Sequence, residues 1–431
     1  MPILLEEDLQ RPLPRMYRVR QQFDETRLED VAGTVRAELA KPEIRALVQP
    51  GMRIAVGVGS RGIQNLYTIV ETTVNSLKEL GAEPFIVSAM GSHGGATAEG
   101  QRQVLIHNGI TEEAMGAPIL SSMEVVQIGV SDRGLPVYVD KNACECDGII
   151  LLNRVKCHTA FRGEIESGIT KMTAIGLAKQ KGAEMTHIFG FENMPQNILS
   201  VGRVALAKLN IVCGIASIED AFGHLAEIFV LKQDEILTEE PRILKRANAM
   251  MPRFAVDRAD VLIMMEMGKD VSGSGLDSNL IGRYNVPFVK GGPDFRCVCV
   301  LDLTDASDHN GNGMGQVDIA SRRFYDKMNP ELGYVNCLTS TAINSGKMPM
   351  ILDTDKQVLQ AAVKFSGKPD RKKASVIIGI STHEMGEVYM SQAALDMVPP
   401  ELKGMIEVAG DFMPMPFDEE GNLLLFKQAK Q

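Results

Sequence analysis

Short runs dense in valine and isoleucine recur along the chain, and each is followed by a longer segment whose apolar residues repeat at helical spacing. This alternation constrains the fold more than any other feature. Residues 53–59 (RIAVGVG) are too short and too evenly apolar for an amphipathic helix and read as a buried strand. Residues 65–80 follow, with Leu66, Ile69, Val70, Val74, Leu77 and Leu80 on one helical face and Gly81 as the stop. The pattern repeats with a strand over 84–90 (PFIVSAM) and a helix over 97–108 for which Thr97 is the natural N-cap. Further strands are predicted over 148–152, 211–217, 261–265, 297–303 and 376–380. Strands alternating with helices imply parallel sheets covered by helices, an α/β architecture.

At 431 residues the chain is long enough for two or three compact units, taking roughly 150 residues per domain. The segment MMPRFAVDRAD separates a charged helix from a new apolar strand, and the expected division is 1–257 and 258–398, with 399–431 rejoining the first domain. The expected fold is α/β, two α/β domains with a cofactor and substrate cleft between them, as ligand pockets favour domain interfaces. A formal net charge of −10 argues against nucleic acid as a partner, because phosphate backbones are held by clustered cations. No run approaches the ~20 apolar residues of a membrane span. The N-terminus shows no basic segment followed by an apolar core, so a cytoplasmic location is expected. The seven scattered cysteines then read as reduced thiols.

In parallel sheets ligands bind at the carboxyl ends of the strands, and here those positions are polar. They read Gly59-Ser60-Arg61-Gly62, Gly91-Ser92-His93-Gly94-Gly95, Asn153 through Lys171, and Gly268-Lys269-Asp270. His93 is either a histidine in an exposed turn or a group facing a ligand, where its glycine neighbours permit close approach. His158 shares its loop with Arg154 and Lys156, an anion patch or a solvated surface. Lys171 stands among Ile169, Met172 and Ile175. It reads as a snorkelling lysine or as one whose burial favours the neutral, nucleophilic amine. His187 is either a helix-borne metal ligand or a packed imidazole. The stretch Asp308-His-Asn310-Gly-Asn312-Gly313 matches half of a calcium loop, but Ile319 occupies the place of the bidentate glutamate. A glycine-rich ligand loop or a structural turn is the better reading.

Taken together these segments resemble the nickel-pincer-nucleotide-dependent lactate racemase family and its related 2-hydroxy acid racemases and epimerases. The resemblance rests on Ser60-Arg61, Ser92-His93, Asn153-Arg-Val-Lys156-x-His158, Lys171 followed sixteen residues later by His187, Glu266-Met-Gly-Lys269-Asp270, and Asp308-His-Asn310-Gly-Asn-Gly. It implies an isomerase whose covalently attached cofactor is a pyridinium-3-thioamide-5-thiocarboxylic acid mononucleotide carrying nickel. Lys171 would form the thioamide link, His187 would ligate the nickel, and Ser60 would contact the cofactor. His93 and His158 would be the acid/base pair, and Arg61 and Lys269 would hold and polarise the substrate carboxylate and 2-oxygen.

The implied partners are a small 2-hydroxy acid and the proteins that build the cofactor. Recombinant protein made without those proteins would lack it. The oligomeric state is left open.

Two departures from the family pattern stand out. Val58 occupies the place of an aspartate and Gly62 that of a proline in the first loop, and Lys171 stands thirteen positions after His158, more than the lactate enzymes lead one to expect. Arg162, Glu164 and Glu166 in that longer loop suggest a larger or more hydroxylated acid. Two other readings stay open. One is a hydrolase or lyase built on a three-histidine metal site of His93, His158 and His187, and the other is a non-catalytic homologue that binds metal or nucleotide.

Overall fold

The computed structural model describes residues 5–60 and 63–426. The chain divides into two compact units. One is Glu25–Met251; the other joins the N-terminal residues up to Asp24 to the chain from Pro252 onward.

Within Glu25–Met251 five strands form one sheet in the order Glu83–Ser88, Arg53–Val58, Gly148–Arg154, Ile211–Glu219 and Leu225–Leu231. The first four run parallel and the last is antiparallel. Alternate side chains supply two separate cores. Ala55, Val87, Ile149 and Leu151 face one way with the helices Met194–Lys208 and Ile236–Met250. Ile54, Val56, Val58, Ile86, Ile150 and Leu152 face the other way with Val31–Leu39 and Leu66–Glu79. Burial on both faces explains why these strands are apolar throughout rather than alternating. Thr97 caps the helix Ala98–His107 as expected, its hydroxyl accepting from Gly100 N. A separate hairpin of Val125–Val130 and Pro136–Asp140 completes the unit.

The other unit is built on eight strands in the order Met350–Leu352, Ile319–Ser321, Asp294–Leu303, Arg258–Met267, Val376–Gly379, Glu387–Ser391, Met16–Gln21 and Ile406–Val408. Neighbours pair parallel through the first five strands and antiparallel from Val376–Gly379 onward. The C-terminal segment, expected in the first domain, therefore contributes here. Ile406–Val408 pairs with Met16–Gln21, which pairs in turn with Glu387–Ser391. The physical reason is edge pairing, since these strands satisfy one another's backbone groups. The Asp308–Gly313 segment follows the strand Asp294–Leu303 as a turn, with Gly313 N donating to Ser345 O, and not as the loop of a helix–loop–helix.

Candidate functional site

Three adjacent parallel strands end side by side in Glu25–Met251, and the polar residues picked out from the sequence sit just beyond them. The strand Arg53–Val58 lies between Glu83–Ser88 and Gly148–Arg154. The loop holding Ser60 is thus flanked by the loops holding His93 and His158, whose parent strands lie roughly 10 Å apart at ordinary sheet spacing.

His93 is exposed and opens a short turn over Gly94–Ala96. Gly94 is in the left-handed region at φ 65°, and a Cβ there would meet Gln101 N at 2.6 Å, so only glycine lets the turn lie against the following helix. The Ser60 hydroxyl and His93 Nδ1 form a hydrogen bond. A hydroxyl can donate or accept, so this contact tolerates either tautomer of the ring.

The His158 ring is more constrained. Ala160 N donates to His158 Nδ1 at 3.1 Å, so the neutral ring carries its proton on Nε2. The ring stacks on Phe161 with centroids 4.0 Å apart and lies 6.0 Å from Phe191. Arg154 does not join an anion patch, because it pairs with Glu219. Nor are Arg162, Glu164 and Glu166 alike. Glu164 is exposed, whereas Glu166 is buried, accepts from His158 N at 2.8 Å and Gly163 N at 3.1 Å, and lies 3.6 Å from Arg162 Nη1. The latter two groups brace the loop.

Lys171 ends the helix Gly168–Lys171 and is half-buried. Its Nζ donates to Glu166 O at 3.2 Å and stands 5.1 Å from the centre of the Phe161 ring. A π-helical turn over Met172–Gly176 follows at once, closed by Leu177 N donating to Met172 O at 2.9 Å. Such turns cluster at functional sites. Gly176 makes this one possible: a Cβ there would meet Ala89 O at 2.7 Å, and Gly176 O accepts from Gly91 N at 3.0 Å. The His93 loop and the Lys171 segment therefore pack backbone to backbone.

His187 closes the helix Lys179–His187, and its Nδ1 donates to Ala183 O at 2.7 Å. In the neutral ring Nε2 is then the lone-pair nitrogen, the form a metal needs, with the orientation fixed by a backbone carbonyl. Burial first, then the nearby Lys171 ammonium, hold His187 below the usual histidine range and favour that neutral form. Phe191 links His187 at 5.9 Å to Phe161 at 6.4 Å, so Lys171, His158 and His187 surround one aromatic cluster.

Arg61 lies outside the described residues. Lys269 belongs to the other unit, where it follows the strand Arg258–Met267 and donates to Gly273 O at 2.9 Å. Among the described residues no three His, Cys, Asp or Glu side chains stand together as a metal site, so the three-histidine reading lacks its convergence.

Several groups that support the site were not foreseen. Glu240 is buried and accepts from Ile169 N, and from Thr170 N and its hydroxyl, capping the helix that carries Lys171. Burial pushes its carboxyl up to about 7. Lys179, Asp140, Gln101 and Ser88 form a second buried set beneath the His93 loop. Lys179 follows the apolar Ile175-Gly-Leu-Ala but opens the polar run Lys179-Gln180-Lys181, so nothing in the local sequence marks it as buried.

Residues 11–197 match the family model described as lactate racemase N-terminal domain. No curated protein matches the chain by sequence. Among solved structures, the lactate racemase apoprotein from Thermoanaerobacterium thermosaccharolyticum aligns over 88% of this chain and 86% of its own, with a TM-score of 0.47 and 13% identity. No helix among the described residues is long and apolar enough to cross a membrane. Over residues 11–197, then, the chain is similar to the lactate racemase N-terminal domain.

Proposed function

We propose that the protein is a cytoplasmic racemase or epimerase of a 2-hydroxy acid that works with a nickel-pincer nucleotide attached to Lys171. The observation that carries this reading is the pairing of Lys171 with His187. An amine and a neutral imidazole, its Nδ1 committed to Ala183 O, face the same aromatic cluster within the segment that matches the family. These groups fit the cofactor, with Lys171 to attach it, the Nε2 of His187 to ligate nickel, and Ser60 to contact it. When bound, the cofactor supplies a reversible hydride acceptor, so that the 2-hydrogen can leave one face of the substrate carbon and return to the other.

The chain's own task is to move the hydroxyl proton and to hold the acid. His93 suits proton transfer because its serine partner accommodates both tautomers. His158 enters as an Nε2–H donor, held so by Ala160 N. The two histidines thus begin from different protonation patterns, His93 as the exchanging base and His158 as the donor to the 2-oxygen. Arg61 and Lys269 are the proposed cations for the carboxylate, which an arginine can grip with two hydrogen bonds. The Phe161 ring lies 5.1 Å from the Lys171 ammonium and 6.4 Å from Phe191, an apolar wall beside the amine. The described chain has seven free cysteines, in keeping with a reducing compartment.

The test is co-production with cofactor-building proteins, followed by intact-mass and metal analysis and chiral chromatography over a panel of 2-hydroxy acids. An adduct that disappears in Lys171→Ala, one nickel per chain and interconversion of at least one acid are expected. An unmodified chain that binds zinc instead would overturn the reading.

A further inference from the structure

The Lys179 side chain is 0% exposed, and so is Asp140, whose Oδ2 lies 3.1 Å from the ammonium. Burying an ion pair costs desolvation on both sides, and an apolar pair of the same shape often serves stability as well or better. What the charge adds here is direction. The ammonium donates to Ser88 O and to Ser88 Oγ at 2.9 Å, and it lies 3.2 Å from Gln101 Oε1. Ser88 Oγ also donates to Gln101 Oε1 at 2.9 Å. With its oxygen so occupied, the Gln101 amide must present its nitrogen the other way, and Nε2 donates to Gly91 O at 2.9 Å and His93 O at 3.2 Å. An unbroken chain of polar contacts therefore runs from Lys179 to the backbone of His93.

The other end of that chain is also informative. Lys179 is the first residue of the helix that ends in His187, and its backbone sits at φ 54°, a left-handed conformation that a long side chain rarely adopts. The anchored ammonium holds the residue there. Asp140 ends the hairpin strand Pro136–Asp140 and accepts from Ala143 N at 3.0 Å, which fixes the carboxylate in turn.

We propose that Lys179 is a positioning residue: through Gln101 its buried ammonium fixes the loop carrying His93 relative to the helix carrying His187. The inference rests on the functional reading above in giving those histidines their roles, while the geometry it describes stands apart from turnover. It predicts that removing the charge pair leaves a folded protein with a misplaced His93.

Lys179→Met combined with Asp140→Asn removes both charges and keeps the volume, and Gln101→Leu breaks the link while leaving the ion pair intact. Each variant is compared with the wild type by thermal melting, intact mass, nickel content, steady-state kinetics and nitrogen-15 spectra of labelled histidine. In both variants kcat is expected to fall about tenfold to a hundredfold, with KM within about twofold, the Lys171 adduct and nickel retained, and the His93 ring signals shifted. Wild-type kcat together with unshifted His93 signals in a folded Gln101→Leu protein would overturn the proposal, whether or not the double variant folds. If the wild type converts no acid, the functional reading fails, and the His93 signals still decide the positioning role.

Discussion

The loops at the carboxyl ends of the two parallel sheets are braced by different chemistry. In Glu25–Met251 the braces are buried ionisable groups: Lys179 with Asp140 beneath the His93 loop, Glu240 at the start of the Lys171 helix, and Glu166 under His158. In the other unit the loops after Arg258–Met267 and Val376–Gly379 are held by hydroxyls and amides, while ion pairs of Arg323 with Asp302 and Asp355 lie at the neighbouring strand ends. Lys269 Nζ and Asn312 Nδ2 both donate to Gly273 O, Thr382 Oγ1 accepts from Asp277 N, and Gln316 Nε2 donates to Arg283 O. Two amide oxygens there, Asn312 Oδ1 and Gln316 Oε1, are buried without a hydrogen-bond partner. A buried charge punishes the loss of its partner far more than a buried amide does, and it fixes direction more strictly. The proposed proton transfer and metal ligation fall beside loops braced directly by such charges, where small displacements matter most.

The contrast can be broken by substitution. The largest effect is expected for Lys179→Met alone, which leaves the Asp140 carboxylate buried without its ammonium. Denaturant unfolding should show a loss of about 3–5 kcal/mol, most of it recovered on adding Asp140→Asn. A loss below about 1 kcal/mol would mean that this unit is braced no differently from the other.

Glu240 comes next. Its folded-state carboxyl is raised to about 7 from an ordinary 4.5, so the folded protein holds the proton more tightly than the unfolded one. That contribution is fully present below about pH 4.5 and is lost as pH rises through 7, an order of about 3 kcal/mol at 1.36 kcal/mol per unit. Glu240→Gln should flatten this part of the stability profile between pH 5 and 8. An unchanged slope would show that the carboxyl does not titrate there.

Lys269→Met separates function from bracing. Its ammonium donates to a backbone carbonyl, so stability should change by about 1 kcal/mol or less, while kcat/KM for the acid should fall about tenfold or more if the ammonium holds the carboxylate. The smallest effect belongs to Asn312→Leu. The orphaned amide oxygen is removed along with the contact to Gly273 O, and the net change should stay within about 1 kcal/mol. A loss as large as that of Lys179→Met would erase the distinction between the units.

The strands legible in the sequence were those covered on both faces. RIAVGVG, PFIVSAM and the run through Ile149–Leu152 are apolar without a break because helices lie on each side. The strands that went unread are the hairpin at 125–140, the antiparallel members at 16–21, 225–231, 387–391 and 406–408, and the short parallel strands at 319–321 and 350–352. MYRVRQ and EVYMS mix polar with apolar residues, and three-residue strands carry too little pattern to stand out. The site divides along the same line. Ser60, His93, His158, Lys171 and His187 were legible because strand-end loops and glycine-rich turns are local features. Glu240 and Lys179 were not, because partners such as Thr170 and Ser88 lie 70 and 91 positions away along the chain.

By itself, then, the sequence determined an α/β chain with polar groups at its strand ends, and the order and spacing of blocks from Ser60 to Gly313 resembled a known family. Only the tertiary structure decided that the C-terminal strand joins Met16–Gln21, that Arg154 is spent on Glu219, and that a buried ammonium supports the His93 loop. Periodicity and turn chemistry act over a few residues and can be read along the chain. The pairing of edge strands and of buried charges is settled by desolvation and hydrogen-bond satisfaction among residues that only folding brings together.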